Sequence, residues 1–174
     1  MIMNIHTSAG FQYEKHKMMI TSGINFSHPG YAWAISRDFY DSVADPQTGN
    51  FLYEHAILGS GDNVFLHALF DMVLKSITNK STEDYKTSVT NYQSRIQNAN
   101  VKFGYVPGVI IHNFHGSKIN RQYCERWKIL VKYDFSPTTY LQYDQDGILI
   151  PSDKFPEGLK QDIMKYFAIR NEDE

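Results

Sequence analysis

The chain has 174 residues, a formal net charge of −2 and 42% hydrophobic residues, a composition typical of a folded globular protein and not of a disordered one. The charge offers no basic surface for nucleic acid, and no apolar run approaches the ~18 residues that a membrane span needs. A single cysteine, Cys124, excludes an internal disulfide and a cysteine-rich zinc module. Because the N-terminus also lacks a basic and apolar leader, we expect a cytoplasmic protein with one domain over residues 1–174.

The first third of the chain is predicted to contain little regular structure. After a polar N-terminal stretch, Pro29-Gly30 predicts a turn, and residues 31–36 predict a short strand. Residues 39–43 are compatible with a short helix that begins at a cap on Asp38. Residues 44–50 are rich in turn-forming residues and predict a loop.

The stretch around which the chain is organised is Ile-Leu-Gly-Ser-Gly-Asp-Asn at residues 57–63, followed by an apolar periodicity that predicts a helix over 64–77. Gly59 and Gly61 permit left-handed backbone angles, and an Asp or Asn after them is a good helix N-cap. The turn therefore presents the Asp62 carboxylate at a helix N-terminus. Two interpretations stay open: a helix cap alone, or a general base held on a rigid turn beside a pocket.

The second half of the chain is predicted to be mostly helical. A helix over 82–98 places one apolar face inward, formed by Tyr85, Val89, Tyr92 and Ile96. Two short strands are predicted at 102–106 and 109–112, and a third helix over 121–131, with Tyr123, Trp127 and Leu130 inward. A last helix is predicted over 157–170. The fold class is therefore α+β, with a small mixed sheet and about four helices.

The region over 133–153 is predicted to be a loop. It contains the D-x-D sequence Asp144-Gln145-Asp146, but Gly147 follows at once. A glycine at that point is typical of a turn. We therefore interpret this acidic pair as a loop turn and not as a metal site.

Two histidines form the second candidate site. His112 and His115 lie three residues apart at the end of a predicted strand, and neutral imidazoles bind divalent metal ions. Two unrelated histidines occur at this spacing at least as often by chance. A cation site would need a carboxylate as well, and Asp62 is the candidate to supply it.

Arg121 is the third candidate. A guanidinium in the first turn of the predicted helix can pair with a phosphate or a carboxylate in a bidentate manner. The alternative is a solvated helix face on which Glu125 pairs locally.

Three blocks taken together resemble a known family. They are His-Pro-Gly-Tyr-Ala-Trp-Ala at 28–34, the 57–62 stretch, and His-Asn-Phe-His-Gly-Ser at 112–117 with Arg121-Gln122-Tyr123 and Arg126 after it. In this order and spacing they resemble the acceptor-side, C-terminal half of GT-A glycosyltransferases of the galactosyltransferase-like type, which bacteria and viruses encode. The resemblance runs from about residue 25 to the end of the chain.

The resemblance implies a reaction and a set of roles. Such enzymes transfer a hexose from a nucleotide-diphosphate sugar to a hydroxyl of a carbohydrate or protein acceptor, with inversion and with Mn²⁺ or Mg²⁺. Asp62 corresponds to the catalytic base, and His112 or His115 to the metal ligand. The substrate-binding residues that it implies are Gly59, Ser60 and Gly61 at the acceptor, Tyr31 and Trp33 in the sugar pocket, and Arg121 near the diphosphate.

The sequence departs from the family pattern at one point, and this departure allows several interpretations. The D-x-D strand of the nucleotide-binding half has no counterpart in this sequence. The chain is then a fragment, or a partner polypeptide supplies the missing half, or catalysis has been lost and a sugar-binding or structural role, in a viral protein for example, has been kept. A small metallohydrolase using His112, His115 and Asp62 is a further alternative.

Overall fold

The structure, a computed structural model of the chain, describes residues 7–16, 27–28, 32–110 and 118–170. This part of the chain combines helices with two-stranded sheets and is broadly α+β. It contains eight α-helices, more than the sequence predicts. They are α1 (Ala9–His16), α2 (Arg37–Val43), α3 (Gly61–Leu69), α4 (Glu83–Asn98), α5 (Lys118–Arg121), α6 (Trp127–Lys132), α7 (Pro137–Tyr140) and α8 (Glu157–Arg170).

Two separate sheets replace the single mixed sheet that the sequence predicts. In the described part of the chain, β1 (Thr7–Ser8) pairs in parallel with β2 (Ser27–His28). The other pair is an antiparallel hairpin of β3 (Leu141–Tyr143) and β4 (Leu149–Pro151). None of the helices in the described ranges has both the length and the apolar character needed to cross a bilayer.

Helices α4 and α8 match their predicted bounds closely. The Thr82 hydroxyl caps α4 by accepting from the Tyr85 backbone N–H at 3.2 Å. The same hydroxyl donates to the Phe135 carbonyl at 2.7 Å, which joins this helix start to the loop after α6. The four inward residues predicted for α4 are all buried, as the apolar spacing indicates.

Helix α2 also forms, but its start differs from the prediction. Ser36, and not Asp38, is the cap, because the Ser36 hydroxyl accepts from the Phe39 backbone N–H at 3.2 Å. Asp38 lies in the first turn, where a negative charge favours the helix.

The helix predicted over 64–77 ends early, at Leu69. Asp71 has a φ of +58°, and Val73–Ser76 then form a 3-10 helix. The Gln93 side chain of α4 stabilises this break, since its amide donates to Asp71 Oδ1 at 2.7 Å while its carbonyl accepts from the Val73 N–H at 2.7 Å. A side chain that is distant in the sequence therefore stabilises the end of α3.

The helix predicted over 121–131 is likewise divided. Helix α5 ends at Arg121, Gln122 has a φ of +45°, and α6 begins at Trp127. Leu130 is buried as predicted, but Tyr123 is 47% exposed, so its predicted inward position is wrong.

The predicted strands are absent where the structure describes them. Residues 32–36 and 101–110 have no regular secondary structure, and residues 31 and 111–112 lie outside the described ranges. Aromatic packing holds the second segment: the Phe103 ring lies 5.1 Å from Phe70 and 5.7 Å from Tyr13. Contacts between side chains therefore replace the strand pairing that the β-branched sequence predicts.

The predicted loop over 133–153 contains α7 and the hairpin, which is a correction to the prediction. The turn at its centre is confirmed. Asp144 Oδ1 accepts from the backbone N–H groups of Asp146 and Ile148, both at 2.9 Å, and Gly147 has a φ of +75°. The first carboxylate of the D-x-D sequence therefore serves as the turn acceptor.

A cluster of hydrogen bonds connects the segment before α3 to helix α4. The Tyr53 hydroxyl donates to Ser88 Oγ at 2.9 Å, and His55 Nδ1 lies 2.9 Å from the same oxygen. The serine hydrogen is free to point at Nδ1 when the imidazole is neutral, so the cluster favours the neutral histidine.

We expect the free energy of unfolding to fall as the pH drops below about 6.5, because His55 titrates differently in the two states. Burial lowers the pKa of His55 from its ordinary 6.5, against the opposing effect of the Glu54, Asp84 and Asp45 carboxylates. As the pH falls, His55 therefore takes up a proton in the unfolded chain before it does so in the folded chain. The free energy of unfolding decreases until the pH is below the pKa of His55 in the folded chain. One such group contributes at most about 1.4 kcal/mol per pH unit.

Urea unfolding at about pH 7.5 and about pH 5.5 measures this dependence. The His55→Asn variant should show a smaller loss between the two pH values than the wild type. Burial also lowers the pKa of His67, so a residual loss of the same sign is expected in the variant. An equal loss in both proteins would contradict the prediction.

Candidate functional site at the turn before helix α3

The turn at residues 58–61 has a strained backbone. Gly59 has a φ of +91° and Ser60 a φ of +79°. A left-handed angle costs a non-glycine residue about 1–2 kcal/mol, so other contacts must hold Ser60 there. Two backbone bonds frame the turn: Gly59 N–H donates to the Ala56 carbonyl at 2.8 Å, and Val64 N–H donates to the Ser60 carbonyl at 2.9 Å.

Asp62 lies in the first turn of α3 and is half-buried. The helix cap is Ser60 and not Asp62 or Asn63, which corrects the cap prediction; the helix begins earlier than expected, at Gly61. Asp62 Oδ1 accepts from the Asn63 backbone N–H at 2.8 Å. Among the described residues, no other group donates to the Asp62 carboxylate.

Ser60 does not cap the helix with its side chain. Its hydroxyl instead accepts a hydrogen bond from Arg126 Nη2. The second terminal nitrogen of Arg126, Nη1, donates to the Leu58 carbonyl at 3.0 Å and lies 3.5 Å from the Tyr166 hydroxyl. One guanidinium therefore holds both sides of the turn.

Arg126 is the residue whose role the sequence did not reveal. It belongs to the resembling blocks, but as a charged residue between Glu125 and Trp127 it has the pattern of a solvated position. In the structure it is only 8% exposed, and no described carboxylate forms an ion pair with it. The signal that could have indicated burial is its position four residues before the buried Leu130.

Arg121 and Arg126 both lie beside the ring of Tyr123. Arg121 Nη1 donates to the Tyr123 hydroxyl at 2.9 Å, and the Tyr123 ring lies 5.9 Å from the Arg121 guanidinium carbon and 5.3 Å from that of Arg126. Tyr166 adds a link, since its hydroxyl donates to the Arg121 carbonyl at 3.0 Å. The structure thus brings Arg121 and the Gly59–Gly61 turn into one neighbourhood.

Trp33 packs beside the same helix but on its core side. Its ring meets Phe65 edge-on at 4.9 Å and lies 6.0 Å from the Phe103 ring. Its Nε1 is buried, and none of the described residues accepts from it. The stacking role implied by the resemblance stays a prediction.

Tyr31, His112 and His115 lie outside the described residues. Within the described ranges, no three His, Cys, Asp or Glu side chains lie close enough together to hold a metal ion. The metal site is therefore a prediction from the sequence alone.

Beside the turn lies a narrow gap, bordered by Gly59, Arg126, Trp127 and the ring of Tyr85, which has no room for a water molecule. Pockets that enclose small-molecule ligands usually exceed ~300 Å³. The described residues therefore form no ligand-sized pocket at this turn.

Comparisons of the chain with protein-family models, with curated proteins and with solved structures give no match.

Proposed function

We propose that the chain is the acceptor-side part of a glycosyltransferase, related in fold to the C-terminal half of GT-A enzymes. It would transfer a hexose from a nucleotide-diphosphate sugar to a hydroxyl of a carbohydrate or protein acceptor. The observation that carries the proposal is the half-buried Asp62 carboxylate, which follows a left-handed turn to which Arg126 is hydrogen-bonded. A carboxylate held on a rigid turn suits a general base.

The chemical step is a single displacement. Asp62 Oδ2 takes the proton of the acceptor hydroxyl as the hydroxyl oxygen bonds to the anomeric carbon of the donor. The bond from that carbon to the diphosphate oxygen breaks on the opposite face, and its electron pair leaves with the diphosphate. The product linkage is therefore inverted, and the proton rests on Asp62.

Negative charge on the leaving diphosphate needs stabilisation. Arg121, beside the partly exposed ring of Tyr123, is the described cation that we assign to it. A divalent cation, Mn²⁺ or Mg²⁺, supplies charge neutralisation when bound, and His112 or His115 is the ligand that the resemblance implies. We assign the nucleotide-binding half, with its D-x-D strand, to an adjoining segment or a partner polypeptide.

A donor screen tests the function. The purified chain, alone and together with any adjoining D-x-D polypeptide, is incubated with a panel of nucleotide-diphosphate hexoses, sugar acceptors and Mn²⁺. We expect release of nucleoside diphosphate and a matching glycoside for at least one donor, and loss of both when the metal is chelated. If sugars bind but no donor releases a nucleoside diphosphate, the glycosyltransferase hypothesis is wrong and the sugar-binding alternative is supported.

A further inference from the structure

Arg126 has an unusual environment for an arginine. Its side chain is 8% exposed, yet the groups that it contacts among the described residues are neutral: a carbonyl, two hydroxyls and a tyrosine ring. A buried charge without an ion-pair partner stabilises a fold poorly. The hydrogen bonds to these neutral groups therefore have to compensate the burial of the charge.

The geometry of those contacts is specific to a guanidinium. The two terminal nitrogens donate to acceptors on either side of Gly59, namely the Leu58 carbonyl and Ser60 Oγ. A Cβ added to Gly59 would lie only 3.1 Å from Nη1, so the glycine lets the fork approach the backbone. The planar fork also fixes the relative orientation of its two acceptors, which an ammonium does not.

The same guanidinium joins the turn to distant elements. The Tyr166 hydroxyl of α8 lies 3.5 Å from Nη1 and donates to the Arg121 carbonyl of α5. Ser60, in its left-handed conformation, is thus connected to two helices through one side chain. The Asp62 carboxylate follows Ser60 by two residues and takes its position from the turn.

We propose that Arg126 is a positioning residue, which holds the Gly59–Ser60 turn in its strained conformation and thereby sets the position of the Asp62 carboxylate. The catalytic meaning of this role rests on the function proposed above. The structural part of the proposal, in which Arg126 holds the turn, does not depend on that function.

Exchange of backbone amide protons tests the structural part in the whole chain. In the Arg126→Met variant, which removes the buried charge and keeps an unbranched side chain, the Gly59 and Val64 amides should exchange about tenfold faster or more. The Lys86 amide is the matched reference, because it donates to the cap residue of α4 as Val64 does to that of α3. Its exchange rate should stay within twofold.

Two further variants complete the test. Arg95→Met removes a partly buried arginine of α4, which pairs with Asp45 in the loop after α2, and should leave Gly59 and Val64 exchange unchanged. Arg126→Lys keeps the charge without the fork and should also accelerate exchange at the turn, which gives a result even if the methionine variant does not fold. Wild-type exchange in the lysine variant, or equal acceleration at Lys86 in either Arg126 variant, would overturn the proposal.

The kinetic arm separates this proposal from the function. If transfer is found, Arg126→Lys should lower kcat by about tenfold to a hundredfold and leave the KM for the donor unchanged. If amide exchange at the turn is faster in this variant but kcat is unchanged, the positioning role of Arg126 in catalysis is wrong, and the proposed function is unaffected. Absence of transfer in the wild type would overturn the proposed function, while the exchange data would still decide whether Arg126 holds the turn.

Discussion

Replacing Asp62 with asparagine is expected to reduce sugar transfer by about 10²–10⁴-fold, the usual effect of losing a positioned general base. The asparagine carbonyl oxygen can still accept from the Asn63 backbone N–H, as Oδ1 does in the wild type. The fold and the turn should therefore survive. What is lost is the ability to take the acceptor proton, so kcat should fall while donor binding, measured by titration calorimetry, stays nearly the same.

The matched control is Asp38→Asn. Asp38 also lies in the first turn of a short helix, but it is exposed and belongs to α2. This variant should transfer at the wild-type rate. Wild-type turnover in Asp62→Asn would show that this carboxylate only favours its helix, and a loss of similar size in both variants would show that the effect is not specific to the site.

The second large effect concerns the core. Phe65→Ala is expected to lower the free energy of unfolding by about 3–5 kcal/mol, as is usual for removing a fully buried phenylalanine. Phe65 is 1% exposed. The centre of its ring lies 4.9 Å from that of Trp33, 5.7 Å from that of Phe51 and 6.2 Å from that of Phe39. A loss of this size is a large part of the stability of a typical domain, ~5–15 kcal/mol.

Urea unfolding monitored by circular dichroism measures this change. Val106→Ala is the control, because Val106 is 86% exposed and its truncation should shift stability by less than about 0.5 kcal/mol. Equal changes in the two variants would contradict the central place of Phe65 in the core. Because Phe65 lies one turn after Gly61 on α3, the variant should also accelerate amide exchange at Val64.

Several elements were determined by the sequence alone, because their signals are local. Helix α4 has a threonine cap, two acidic residues in its first turn and apolar residues at helical spacing, and it forms at the predicted bounds. Helix α8 forms over the predicted residues as well. The turn at Gly147 was also predictable, since a short polar stretch ending in glycine is sufficient for it.

The candidate site was predictable only in part. Gly59 and Asp62 could be selected from the sequence, because two glycines before a helical periodicity indicate a turn. The sequence placed the cap at Asp62 or Asn63, whereas the structure has it at Ser60, because Arg126 supports the left-handed angle that a serine adopts only with difficulty. This contact joins residues far apart in the chain, and local patterns do not contain it.

Only the tertiary structure decided where α3 stops, how residues 101–110 are arranged and that Arg126 is buried. Helix α3 ends at Leu69 although the apolar periodicity continues to residue 77, and Gln93 stabilises this end by bonding to Asp71 and Val73. Residues 101–110 form no strand despite their β-propensity, and Phe103 packs its ring against Phe70 and Tyr13. Arg126 is buried because neutral acceptors from the turn and from α8 converge on its guanidinium, an arrangement that only the folded chain brings together.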